Sequence, residues 1–230
     1  MRTASLILSI SLSVALGCSK NDRGEREGEA TTSTDASATA AASTVEDDYA
    51  ALTKALREGD GKGASSLVTA STLEKYDSCR KLALDSAGVD FADLDPFTVF
   101  FIYQLRYLLE AAKLREMSGK DLFEWGVDSG LVNKDSLAAI GLNKVQYDGP
   151  VAYATLTQGG RAVQDGVFTF RKESGRWKLD MIEVLRMANA QLEKIRKDAG
   201  KSKVDFAIFM LERTYGAGNI PEAILNGPLK

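Results

Sequence analysis

The hydrophobic period of this chain changes twice, and that constrains its fold more than any single residue does. From Val45 to about Ile140 apolar residues recur at helical spacing; from Leu142 to Met181 they alternate; from Glu183 the helical spacing returns. The pattern predicts an α+β fold with a helical N-terminal half, a four-stranded antiparallel meander and C-terminal helices.

Local signals place the elements. Thr44-Val45-Glu46-Asp47 resembles a capping box and opens a helix through Tyr49, Leu52 and Leu56, which Gly59-Asp60-Gly61 ends. Ser71-Thr72-Leu73-Glu74 opens a second helix, stopped by Gly88. Asp95-Pro96 is a strong start, a cap followed by a Pro in the first turn, and it leads into Phe97 to Met117, the most apolar run after residue 18. Gln104, Arg106, Glu110, Lys113 and Arg115 make that run unfit for a bilayer, so it predicts the central helix of the domain. Ser118 to Asp121 reads as another capping box before Leu122, Phe123 and Trp125, and a short helix is expected near Lys134 to Ile140. Strands follow at Leu142–Tyr147, Val151–Thr157, Val163–Arg171 and through Trp177, Leu179 and Met181. Their short connections predict neighbouring antiparallel strands with one wet face. The chain ends in helices through Val184 to Ile195, Val204 to Thr214 and after Pro221.

The N-terminus carries a different message. Met1-Arg2-Thr3 precedes apolar Ala4 to Leu16 and then Gly17-Cys18. This is a short positive region, an apolar region too short to span a bilayer and a small residue at the cut. It resembles a bacterial lipoprotein signal, which implies that residues 1–17 are removed and Cys18 is acylated. Ala15 and Leu16 depart from the usual order before the Cys, and Ala15 with Gly17 equally suits ordinary secretory cleavage, so a plain secreted protein is the competing reading. With Ser19 after the Cys, the resemblance implies the outer membrane as default location. Cys79 is the only other Cys. A thioether at Cys18 precludes an internal disulfide; a free Cys18 leaves a Cys18–Cys79 bridge open, although a mobile tether argues against it. Cys79 follows Leu73 and Tyr76 at helical spacing and reads as a buried small hydrophobe.

Residues 18–44 read as the lipidated Cys and a disordered tether, because Ser19 to Thr44 contains no aromatic residue and no aliphatic one larger than Ala. Its r.m.s. reach is roughly 25–30 Å. Residues 45–230 are then one α+β domain. The net charge of -3 gives no reason to expect nucleic acid as a partner.

Val151-Ala152-Tyr153-Ala154-Thr155-Leu156-Thr157, followed by Gly166 to Asp180 with its Glu173-Ser174-Gly175 turn and Trp177-Lys178-Leu179, is similar to the last strands of nuclear-transport-factor-two-like (cystatin-cone) domains. The resemblance spans residues 142–182. It implies helices first, then a curved sheet around a pocket. The longer helical half and the helices after the sheet depart from that pattern.

Catalytic signatures are sparse. No His is present, which removes Ser-His-Asp and Cys-His chemistry and the commonest metal ligand. No Gly-rich phosphate loop suggests a nucleotide cofactor. Asp90, Asp93 and Asp95 lack the spacing of a calcium loop and read as caps. Lys194, Arg196, Lys197, Lys201 and Lys203 form a basic cluster, read as a solvated face, with anionic headgroups as the alternative partner. Tyr103, Arg106, Tyr107, Trp125, Tyr153, Phe168, Phe170 and Trp177 are the candidates for a concave aromatic pocket, against ordinary core packing. The expected function is an envelope-anchored module that binds or assembles. Its partners are the membrane, through the N-terminal lipid, and an envelope protein or small apolar ligand. The alternative is a cone-fold isomerase or dehydratase using an Asp/Tyr pair for proton transfer.

Overall fold

A computed structural model describes residues 43–85, 90–132, 137 and 139–227 of the 230. The signal, Cys18, nearly all of the tether, the Gly88 stop and most of the expected helix near Lys134 lie outside the described residues.

The first helix, α1 (Val45–Glu58), opens on the expected capping box: Thr44 Oγ1 accepts from the Asp47 N–H at 3.1 Å, and Asp47 accepts from the Thr44 N–H at 3.3 Å. Gly59 closes it at φ 70°, a left-handed cap that favours Gly. Asp60 caps a further short helix, α2 (Gly61–Ser65), which the sequence reading treated as a stop. Helix α3 (Ala70–Leu84) is capped by Thr69, two residues before the expected start. The reason is tertiary. The Leu179 N–H donates to the Leu67 carbonyl at 2.9 Å and the Thr69 N–H to the Leu179 carbonyl at 3.1 Å, so residues 67–69 line the sheet edge and the helix begins immediately after.

Asp95 and Pro96 start α4 (Pro96–Leu108) as expected, with the Thr98 N–H donating to Asp95 at 2.8 Å. The apolar run does not continue as one helix to Met117. Leu109 and Glu110 turn extended, and α5 (Ala111–Glu116) follows. The break folds Leu114 into the core, where Arg80 from α3 donates to its carbonyl at 3.1 Å. Ser118 and Asp121 form the expected capping box of α6 (Gly119–Asp128).

The sheet is the predicted meander, β1 (Ile140–Asp148), β2 (Val151–Gln158), β3 (Arg161–Glu173) and β4 (Arg176–Leu179), in that spatial order and antiparallel throughout. Gly159 and Gly160 both take positive φ in the β2–β3 turn, a conformation that only Gly supplies without strain. Ala152, Ala154, Phe168, Phe170 and Leu179 form the buried face, and Tyr153 and Thr155 lie on the other. Met181 does not extend β4. Asp180 accepts from the Ile182 N–H at 3.1 Å and caps α7 (Met181–Asp198). Helix α8 (Lys203–Tyr215) starts at Ser202 as expected, and the segment after Pro221 is a 3-10 helix, Glu222–Leu225.

Three apolar clusters hold these elements together. One lies between the sheet and α1, α2, α6 and the start of α7; the second joins α4, α7, α8 and the 3-10 helix; the third joins α3, α4 and α6. Helix α4 belongs to the last two, which makes it the central helix the sequence predicts. Two glycines bring helices into close contact. A Cβ on Gly119 would meet the Leu73 carbonyl at 2.2 Å, and one on Gly61 the Glu124 carbonyl at 2.4 Å.

Candidate functional site

The eight aromatic-pocket candidates do not share one site. Phe168 and Phe170 point from β3 into the helix-covered face, each with its ring centroid 6.0 Å from that of Tyr49. Trp177 shares that face, 5.3 Å from Tyr147 across the sheet. Tyr153 lies on the opposite face at 43% exposure, because it pairs with Thr169, whose neighbours Phe168 and Phe170 point inward. Tyr103, Arg106 and Tyr107 belong to α4, which packs on α3, α7 and α8 and not on the sheet. Tyr107 meets Tyr215 at 4.8 Å, and Tyr103 stacks on Phe91 at 5.3 Å. Trp125 lies on α6 under Lys113 and lines a small apolar cavity of about 50 Å³ with Phe97, Phe101, Gly126 and Leu185.

The buried ionisable groups are engaged in holding elements together. Arg106 is 2% exposed. Its guanidinium donates to the carbonyls of Ala83 (3.0 Å) and Asp85 (2.6 Å) at the end of α3, and of Ile224 and Leu225 (both 3.2 Å) in the 3-10 helix. The negative end of the α3 dipole suits that charge. Burial pulls the Arg106 pKa down, and neighbouring Tyr103 and Asp85 oppose it. Asp48 on α1, 1% exposed, accepts from the Trp177 N–H at 2.7 Å, Arg176 Nε at 2.6 Å and Ser43 at 2.8 Å. Burial pushes its carboxyl up, and these bonds with the Arg176 charge outweigh it and hold the pKa below the usual carboxylate range. Asp180 is held by Arg171 Nε at 2.9 Å and the Ile182 N–H. The Tyr49 hydroxyl donates to carbonyl oxygens of Leu137 and Ile140, both at 3.1 Å.

Sequence reasoning passed over Asp48. The signal was there: with Val45, Tyr49 and Leu52 it occupies the buried stripe of α1. Cys79 is buried, as expected, and forms no disulfide among the described residues; burial pushes its pKa up to about 11. The basic cluster is largely paired: Lys194 with Asp198, Arg196 and Lys197 with Glu193, and Lys203 with the Ala92 carbonyl. Asp95 accepts from the Thr98 N–H and caps α4, as expected, whereas Asp90 accepts from the Ala92 N–H in the turn ahead of that helix and caps none. Among the described residues no group of three or more His, Cys, Asp or Glu is placed to hold a metal.

A groove of about 690 Å³ lies among the described residues between α8 and the C-terminal segment. Ile208 and Phe209 line one wall, Ile220 and Leu225 the other, with Glu212 and Glu222 at the rim. Neither of those carboxylates has an ion pair or side-chain hydrogen bond among the described residues. Helix α8 is apolar over Phe206–Leu211. Phe206, Ala207, Met210 and Leu211 face the core, which leaves Ile208 and Phe209 half-covered on the groove side. That all-round apolar character was the available sequence signal for this face.

No protein-family model, curated protein or solved structure matches this chain.

Proposed function

We propose that this protein is a lipoprotein of the bacterial envelope whose globular part binds or assembles and does not catalyse. The anchor rests on the sequence alone: Arg2, the apolar run to Leu16, and Gly17-Cys18. Among the described residues no helix is long and apolar enough to cross a membrane. In this reading the attachment is a lipid on Cys18. Ser19 favours the outer membrane.

The observation that carries the binding role is the α8 groove. It has the size range of ligand sites, and its mixed lining sets apolar Ile208, Phe209 and Ile220 beside two carboxylates, Glu212 and Glu222, that have no side-chain partner among the described residues. An envelope protein or a small apolar ligand is the class of occupant it suits. A buried Asp48, Asp180 and Arg106 already saturated by structural partners support binding over chemistry. The cone-fold isomerase or dehydratase reading needs a carboxylate facing a tyrosine hydroxyl, whereas the Tyr49 hydroxyl in the sheet–helix interior faces two carbonyls.

Two measurements test the proposal. Intact mass of the protein from membranes should show an acylated Cys18, and Cys18→Ser should move the protein to the soluble fraction; an unprocessed Met1 in a soluble protein refutes the anchor. A neutral apolar fluorophore should bind saturably, and Ile208→Lys should abolish that binding without changing circular dichroism. Unchanged binding in Ile208→Lys refutes the groove.

A further inference from the structure

The two edges of the sheet are treated differently. Residues 67–69 close β4, whereas among the described residues β1 has β2 as its only strand neighbour. The far end of β1 is exposed, and Tyr147 is a large side chain left 54% open. Neither Lys144 nor Asp148 has an ion pair or side-chain hydrogen bond among the described residues.

The ladder fixes which backbone groups of β1 face outward. The Lys172 N–H donates to the Pro150 carbonyl at 2.7 Å, so Pro150, and by alternation Ala152, bonds toward β3. Val151 and Tyr153 then bond toward β1, to their partners Asp148 and Gln146. Val145 and Tyr147 are left with N–H and C=O groups pointing away from the sheet. Side chains alternate the other way: Val145 and Tyr147 lie on the helix-covered face, Gln146 and Asp148 on the open face. The irregularity between Leu142 and Val145, where the Lys144 N–H donates to Thr155 Oγ1 at 3.1 Å, keeps Lys144 on the open face.

We propose that β1 pairs antiparallel with β1 of a second copy of this chain about a twofold axis at Gln146. The segment is self-complementary in that register. Val145 of each copy faces Tyr147 of the other, and their free backbone groups exchange hydrogen bonds. On the open face Lys144 of each copy faces Asp148 of the other, giving two ion pairs related by symmetry. Sliding the register by two residues in either direction loses both ion pairs, and sliding it by one puts the faces out of phase. The contact is isologous and closes at two copies, joining two four-stranded sheets into one. An edge of this length buries less than the roughly 1,600 Å² of a standard interface, so the dimer is weak in dilute solution. The proposal depends on neither the lipid anchor nor the α8 groove.

Cross-linking of the full chain tests it. Gln146 faces its own copy at a non-hydrogen-bonded site, where Cα atoms stand roughly 4.5 Å apart, within disulfide range. Gln146→Cys should give a reducible dimer at twice the monomer mass on mild oxidation. Wild type and Asn143→Cys, whose copies lie ~20 Å apart in this register, should not. Equal dimer yields for Gln146→Cys and Asn143→Cys overturn the proposal. Sedimentation of the full chain in nonionic detergent supplies the second arm. Lys144→Glu should weaken association about tenfold, and adding Asp148→Lys should restore it. Failure of the exchange to restore association overturns the register, and a wild type monomeric at every concentration overturns the pairing itself. All these side chains are on the surface, and circular dichroism checks that each variant folds.

Discussion

Asp48→Ala removes the carboxylate through which α1 hydrogen-bonds to the β3–β4 hairpin. The Trp177 N–H loses its acceptor and is left buried, which costs roughly 1–3 kcal/mol. The Arg176 pair adds less. Its side chain is 50% exposed, so the guanidinium returns to water and the loss is that of a surface pair, at most about 1 kcal/mol. The sum is about 2–4 kcal/mol. Arg176→Ala should cost less, about 1 kcal/mol, because Asp48 keeps the Trp177 N–H and the Ser43 hydroxyl. Asp48→Asn should fall between the two, because its amide oxygen still accepts from Trp177. Urea unfolding followed by circular dichroism gives the three values, with an unchanged denaturant slope showing that only stability moved. The pH dependence has a definite sign. The folded pKa of Asp48 is depressed below its unfolded value of about 3.9, so the carboxylate contributes fully above that value. The charge-dependent part of its contribution disappears as pH falls through the folded pKa, so the gap between wild type and Asp48→Ala should narrow in acid towards that of Asp48→Asn. A loss under ~1 kcal/mol for Asp48→Ala, or a larger loss for Arg176→Ala, refutes the reasoning.

Two further predictions concern the helices. Arg106→Lys keeps a charge but replaces a fork that reaches α3 and the 3-10 helix together with a single point donor. It should cost about 2 kcal/mol or more in urea unfolding and expose the C-terminal segment to limited proteolysis; an unchanged midpoint contradicts the bridging role. Gly126→Ala should stabilise by roughly 0.5–1 kcal/mol, because its Cβ meets only Val132 Cγ2 at 3.6 Å within α6. Gly119→Ala, pressed on the Leu73 carbonyl, should destabilise by more than that; equal effects at the two glycines refute the close α3–α6 contact.

Sequence and structure agree where the determinant is local. Thr44, Asp95-Pro96, Ser118 and Ser202 cap the helices they announce, because a cap is decided by a few neighbouring atoms. The meander follows from short turns. The misread positions answer to distant partners. Thr69 caps α3 because Leu179, over a hundred residues away, takes its N–H. Leu109 breaks α4 with no Gly or Pro to announce it. The aromatic candidates disperse because no local signal tells the face of Tyr153 from that of Phe168 and Phe170. The inward face passes from Val163 to Gly166 across an irregularity at which Asp165 takes φ 56°, so counting by twos along β3 assigns the wrong face to one end. Helical phase was equally blind to where Tyr103, Arg106 and Tyr107 point, because α4 is buried nearly all round.

The guanidinium of Arg106 also sets an order of events during synthesis. Its carbonyl partners at Ala83 and Asp85 leave the ribosome before it does, whereas Ile224 and Leu225 follow 118 and 119 residues later. For that whole interval the growing polypeptide holds a cation whose cradle is half built. The tail therefore acts as the latch that goes in last, and a polypeptide stopped short of Ile224 would keep most of its interior yet carry an open seam along α4.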